Sequence, residues 1–247
     1  MRRVLRFMFV MACLGPPSAW ASDMPSAPGT YRQTLNTETV KDLRFSLHLP
    51  PGSPSQTPVP LVVALHYGGQ ITPWFGGRFL SVLVEPGLRD LGAIIIAPDC
   101  PSSEGWANPK AEAAILELMR AIRHAYPIDE KKILLTGFSM GGIGTWYLAA
   151  RHPGLFSAAI PMSAIPGPDA LDRFSDTPLL AIHGKDDELF PYRKLETIIR
   201  TLKSEGHPVR LQIIDGLSHY QAGAFVKHLQ AAIPWIRGTW TGKNPIP

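Results

Sequence analysis

Ser139 lies in the run ILLTGFSMGGIGTWY (133–147), with glycine two residues before it and two residues after it. A serine hydroxyl attacks a carbonyl only when a histidine takes its proton and a carboxylate orients that histidine. Both partner types follow later apolar runs: HGKDDELFP (183–191) offers Asp186, Asp187 and Glu188, and DGLSHY (215–220) offers His219. The chemistry these residues could perform is acyl transfer through a covalent intermediate on Ser139. The bland alternative is a glycine-rich turn that packs a helix closely on a sheet.

The surrounding pattern favours the chemical reading. The apolar stretch up to Phe138 reads as a buried strand, and Met140 to Arg151 reads as a helix. A nucleophile at such a strand-to-helix elbow sits in a strained backbone conformation, and side chains two residues to either side would collide with it or with the neighbouring strand. Gly137 and Gly141 remove those side chains. The helix start also supplies backbone N–H groups and the positive end of its dipole, which favour a developing oxyanion.

Other elements alternate along the chain. Leu43, Phe45, Leu47 and Leu49 alternate with Arg44, Ser46 and His48, which predicts a half-buried edge strand. Short runs at 61–65, 93–97, 133–136, 158–162, 179–182 and 209–214 are apolar without alternation, as strands buried on both faces are. Helical spacing appears at 111–125, 143–151, 194–205 and 222–235. The alternation predicts an α/β fold, a mostly parallel central sheet with helices on both faces. Residues 22–42 read as a lead-in that is loose over its first part, 43–237 as the domain, and 238–247 as an irregular tail.

The 247 residues are 45% hydrophobic and 18% charged, ordinary for one globular domain. Residues 1–21 have a basic start, an apolar middle and Ala19-Trp20-Ala21, the small-x-small pattern of a signal-peptidase site. They imply export to the periplasm or beyond. The apolar stretch is shorter than the ~20 residues a spanning helix needs, so no stable membrane insertion is expected. A rival reading makes Cys13 a lipidated N-terminus, although Met11 fits a lipobox poorly. Removing the leader takes Arg2, Arg3 and Arg6 and leaves 21 basic against 20 acidic side chains, so no basic stripe argues for nucleic acid. Cys100 is then the single cysteine, and an internal disulfide is excluded.

The elbow GFSMGG, the HGxxDxxxP pattern at His183 to Pro191 and the late histidine in DGLSHY together resemble the α/β-hydrolase superfamily, in particular small secreted esterases of the phospholipase/carboxylesterase and prolyl-oligopeptidase-like branches. The likeness spans roughly 43–236. It implies a serine esterase with Ser139 as nucleophile, His219 as base and Asp187, the last residue of HGxxD, as orienting acid, with Asp186 the adjacent decoy. It also implies that LHYGG (65–69) is the oxyanion loop. The glycine usual after the histidine is Tyr67 here, so the first donor is the backbone N–H of Tyr67 or Gly68, or the Tyr67 hydroxyl; Met140 N–H is the second.

No cofactor is expected, and no spacing among the histidines or Cys100 suggests a metal. His66 and His183 read as loop-holding residues, and His48, His124, His152, His207 and His228 as surface. Trp74, Phe75 and Trp106 follow strands and either line a subsite or pack in the core. Competing functions are a serine peptidase, for whose gating domain the residues after 21 leave no room, an acyltransferase, and a binding protein on the same fold. Residues 163–178, where this superfamily usually inserts a cap, are too few to build one. The expected substrate is therefore a short-acyl or polysaccharide-linked ester reaching an open site, though 71–79 could fold over the serine.

Overall fold

The computed structural model describes residues 24–242 apart from 54, 55, 71 and 175. The expected leader, Cys13 and the end of the tail (243–247) lie outside the described residues. Among the described residues eight strands form one sheet in the order β1-β2-β4-β3-β5-β6-β7-β8. They are β1 (Gly29–Leu35), β2 (Leu43–Leu49), β3 (Val59–Leu65), β4 (Ile94–Pro98), β5 (Ile128–Phe138), β6 (Ala158–Met162), β7 (Leu179–Gly184) and β8 (Val209–Ile214). The β1–β2 and β2–β4 pairs are antiparallel, and the remaining pairs are parallel.

The central parallel strands β3, β4, β6 and β7 and the second half of β5 are buried on both faces, which accounts for their uninterrupted apolar runs, whereas β8, at the far edge, is largely half-buried. In β3, Leu61, Val63 and Leu65 enter one core cluster with Ile115 and Trp146. Val62 and Ala64 enter the other, with Phe79 and Phe225. The two layers that cover the sheet are therefore held by successive residues of one strand.

Among the described residues eight α-helices accompany the sheet: α1 (Phe75–Phe79), α2 (Glu85–Leu88), α3 (Pro109–Ala125), α4 (Met140–Arg151), α5 (Pro168–Asp172), α6 (Tyr192–Ser204), α7 (Val226–Ala231) and α8 (Ile233–Trp240). A π turn, Leu80–Val84, joins α1 to α2. Helix α3 begins where Asn108 accepts hydrogen bonds from the N–H groups of Lys110 and Ala111, with Pro109 in its first turn. Its Ile115, Leu118, Met119 and Ile122 face the core.

Four expectations need correction. Residues 29–35, read as loose lead-in, form β1, so the domain starts before residue 43; the strand is held by pairing with all of β2. That makes β1 the edge, and β2 lies one strand inside it. The single helix expected over 222–235 is a 3₁₀ turn (Ala222–Phe225), α7 and α8. Pro234 has no N–H to continue the ladder and falls in the first turn of α8. Helix α8 then carries on through Gly238–Trp240, which had been assigned to the irregular tail, and Trp240 donates its indole N–H to Ser157 Oγ at 2.9 Å.

Candidate active site

Ser139 stands between β5 and α4 with φ 53° and ψ −117°. This is strained backbone for a residue with a side chain. Its N–H donates to Met162 O at 2.9 Å and its carbonyl accepts from Ile143 N–H at 2.9 Å, so the neighbouring strand β6 and helix α4 both hold it. The glycines are required by distance. A Cβ on Gly137 would lie 2.2 Å from Gly141 O, and one on Gly141 only 1.8 Å from Leu65 O.

The loop after β8 brings His219 to Ser139, and the loop after β7 brings Asp187 to His219. Ser139 Oγ lies 2.8 Å from His219 Nε2, and His219 Nδ1 lies 2.9 Å from Asp187 Oδ2. A carboxylate only accepts, so Nδ1 carries the proton and Nε2 is free to take one from the serine. The other oxygen, Asp187 Oδ1, accepts from Leu189 N–H at 3.0 Å and Phe190 N–H at 2.8 Å. Burial works against the charged form of Asp187, but the bonds from His219 and Phe190 outweigh it and hold the carboxyl below its ordinary range. Asp186 points to solvent, and its N–H donates to Leu217 O. The structure thus brings together Ser139, Asp187 and His219, and leaves Asp186 out.

Two neutral histidines brace the loops. His66 Nε2 accepts from Cys100 N–H at 3.0 Å, so its Nδ1–H donates to Tyr67 O at 2.7 Å. His183 Nε2–H donates to Phe190 O at 2.7 Å. Burial lowers the pKa of both, which suits fixed neutral donors. The Tyr67 ring is packed edge-on against Phe75, Phe79 and Phe138, with centroids 5.4, 5.9 and 6.3 Å away. Tyr67 N–H has no acceptor among the described residues, and Met140 N–H, the first of α4, has none within the helix. Tyr67 and Ser139 both line one cavity of about 560 Å³.

Trp106 and Phe75 do not line that cavity. Trp106 is fully buried and donates its indole N–H to His66 O at 2.9 Å. Trp74 is half-buried, with the guanidinium groups of Arg32 and Arg44 5.3 and 5.8 Å from its ring centroid. The cavity walls are instead Phe138, Leu189, Tyr220 and, from α1 and the π turn, Arg78 and Val82. Sequence reasoning missed these last two: it takes 71–79, with Gly76 and Gly77, as loop and places no element between 80 and 92. Glu188, a candidate orienting acid in the sequence, instead accepts from His219 N–H at 2.9 Å through its carboxylate. Between β6 and β7 the helix among the described residues is the five-residue α5. No helix among the described residues is long and apolar enough to cross a membrane.

A sequence profile of the phospholipase/carboxylesterase family matches residues 107–236. Feruloyl esterase C of Emericella nidulans is 28% identical over 198 residues, covering 72% of this chain and 68% of that protein. The bifunctional acetylxylan esterase/xylanase XynS20E of Neocallimastix patriciarum is 25% identical over 96 residues, 38% of this chain and 14% of that one. The solved structure of a thermostable esterase superposes with a TM-score of 0.71 at 26% identity over 84% of this chain, which spans 62% of that structure's chain. A strand-to-helix serine on an eight-stranded sheet, a profile match over more than half the residues and esterases among both kinds of relative lead to one conclusion: the chain belongs to the phospholipase/carboxylesterase family of α/β-hydrolases and is a carboxylic ester hydrolase of the serine type.

Proposed function

We propose that Ser139, His219 and Asp187 are the catalytic triad of this esterase. The observation that carries the reading is the unbroken hydrogen-bonded chain from Ser139 Oγ through His219 to Asp187, at 2.8 and 2.9 Å. Ser139 Oγ attacks the ester carbonyl while His219 Nε2 takes its proton. The tetrahedral oxyanion is met by the backbone N–H groups of Met140 and Tyr67, which is supported by the absence of competing acceptors and by the grip of His66 on the Tyr67 carbonyl. His219 then protonates the departing alcohol. Water, activated by the same nitrogen, releases the acid from the acyl-serine.

The substrate class is a short-acyl or carbohydrate-linked ester. An open cavity without a cap suits an ester bond that projects from a bulky molecule better than a long acyl chain, which needs a covered apolar groove. The relatives named for feruloyl and acetylxylan ester cleavage support the same choice. Export follows from residues 1–21, with lipidation of Cys13 as the variant form of that proposal.

Labelling with a fluorophosphonate tests the triad: Ser139→Ala should abolish it while the circular dichroism spectrum is kept, and stoichiometric labelling of the variant would move the nucleophile elsewhere. A series of p-nitrophenyl esters tests the substrate class. Turnover should fall steeply beyond short chains, and a rise with chain length, or a jump above the solubility limit, would reject an open short-acyl site.

A further inference from the structure

We propose that Arg78 selects esters that carry an anion, a carboxylate on the part of the substrate that does not react; this rests on Ser139 being the nucleophile. Arg78 occupies the last turn of α1, is exposed, and lines the same cavity as Ser139 and His219. No carboxylate lines that cavity among the described residues. The two acids nearest the base are committed: Asp187 to three donors, and Glu188 to the His219 N–H. Arg44 and Arg89, on elements either side, pair with Asp99 and Glu85, whereas Arg78 forms no ion pair among the described residues.

The guanidinium is presented from a rigid support. Asp99 accepts from Trp74 N–H at 2.7 Å and from Gly76 N–H at 3.0 Å, and so pins the start of α1. A Cβ on Gly76 would lie 2.2 Å from Ala97 O, so the helix rests directly on β4. A planar fork of donors carried on a helix fixed in this way matches a carboxylate geometrically as well as in charge. The rest of the mouth fits the remainder of such a substrate. Val82, Leu189 and Tyr220 are the exposed large hydrophobics among the described residues, at 41%, 51% and 74%, and all three line this cavity. Exposed apolar surface gathered at one opening marks a binding surface, and it lowers the dielectric around the cation beside it.

The test compares matched esters by kcat/KM, corrected for uncatalysed hydrolysis. On the acyl side the pair is the p-nitrophenyl monoester of adipate against p-nitrophenyl hexanoate. On the alcohol side it is 3-acetoxybenzoate against its methyl ester, with acetate release as the readout. The wild type should favour the anionic member of at least one pair by roughly tenfold, the lower end for a charge-assisted hydrogen bond at a solvent-reached site. The pair that responds tells which side of the ester bears the anion. Arg78→Gln should bring that ratio to about one, Arg78→Lys should keep part of it, and added salt should shrink it in the wild type. A wild-type ratio at or below one in both pairs, or a raised ratio that survives Arg78→Gln, overturns the proposal. Absence of turnover of all four esters would overturn the Ser139 site as well, whereas turnover without charge preference overturns only the role of Arg78.

Discussion

Replacing Asp187 by asparagine changes one atom, and its consequence can be worked from the bonds around it. Three N–H groups converge on the carboxylate: His219 Nδ1–H, Leu189 N–H and Phe190 N–H. An amide has one accepting oxygen and one donating nitrogen. If its oxygen turned to His219, the nitrogen would face two backbone donors and both of those bonds would be lost, at about 1.5–3 kcal/mol each for bonds to a charged group. The opposite orientation keeps the loop bonds and reverses the direction of the third. The amide nitrogen then faces His219 Nδ1, which must become the acceptor, and the imidazole proton moves to Nε2, against Ser139 Oγ. A base already protonated on the nitrogen that faces the nucleophile cannot take its proton. In a comparable triad this change lowers turnover about 10⁴-fold, which is about 5.5 kcal/mol of barrier. The assay is kcat for p-nitrophenyl acetate, with Asp186→Asn as the control, because Asp186 faces solvent and should lose little. Retention of more than about a hundredth of wild-type kcat by Asp187→Asn, or an equal loss in the control, would refute the reasoning.

Tyr67→Phe separates the two oxyanion arrangements: if the backbone N–H donates, kcat should stay within about threefold, and a fall of about 100-fold would assign the donor to the hydroxyl. Gly141→Ala puts a Cβ 1.8 Å from Leu65 O, in backbone that cannot step aside. It should lower stability by about 3 kcal/mol or more, read from the urea midpoint, and an unchanged midpoint would mean the elbow is looser than described. The Cys100 thiol is pushed up to about 11, chiefly by burial. With about 100-fold less thiolate than an ordinary cysteine, it should react with an aromatic disulfide reagent at pH 8 about 100-fold more slowly in the native protein than in urea, and equal rates would place it in solvent.

Much of the sheet was legible because burial on both faces writes a strand as a continuous apolar run. Residues 158–162 are bounded correctly on that signal, and the bounds 209–214 also match β8, although that edge strand is largely half-buried and carries Arg210 and Gln212. Strand β1 was not, since GTYRQTL alternates between half-buried and exposed positions and takes its stability from β2 rather than from its own composition. The segment 75–91 was hidden by its glycines. They look like loop residues, yet Gly76 is there because Ala97 O leaves no room for a side chain, and Gly87 because Leu229 packs against it, with its Cδ2 2.8 Å from where a Cβ would be. A close contact with a residue far along the chain leaves no local trace that distinguishes it from a turn.

The candidate site divides in the same way. The sequence by itself determined the order of serine, acid and histidine, because parallel strands deliver their following loops to one edge of the sheet, and it determined the glycines that an elbow serine needs. Only the tertiary structure decided between neighbours. Asp187 and Asp186 are chemically identical, and it is the turn at 184–190 that points one at His219 and the other at solvent. Trp106, equally able to line a pocket, is drawn into the core by the His66 carbonyl. Arg78 comes to the mouth of the cavity because α1 lies on β4, and contacts between residues distant in sequence are set by packing, which no local pattern encodes.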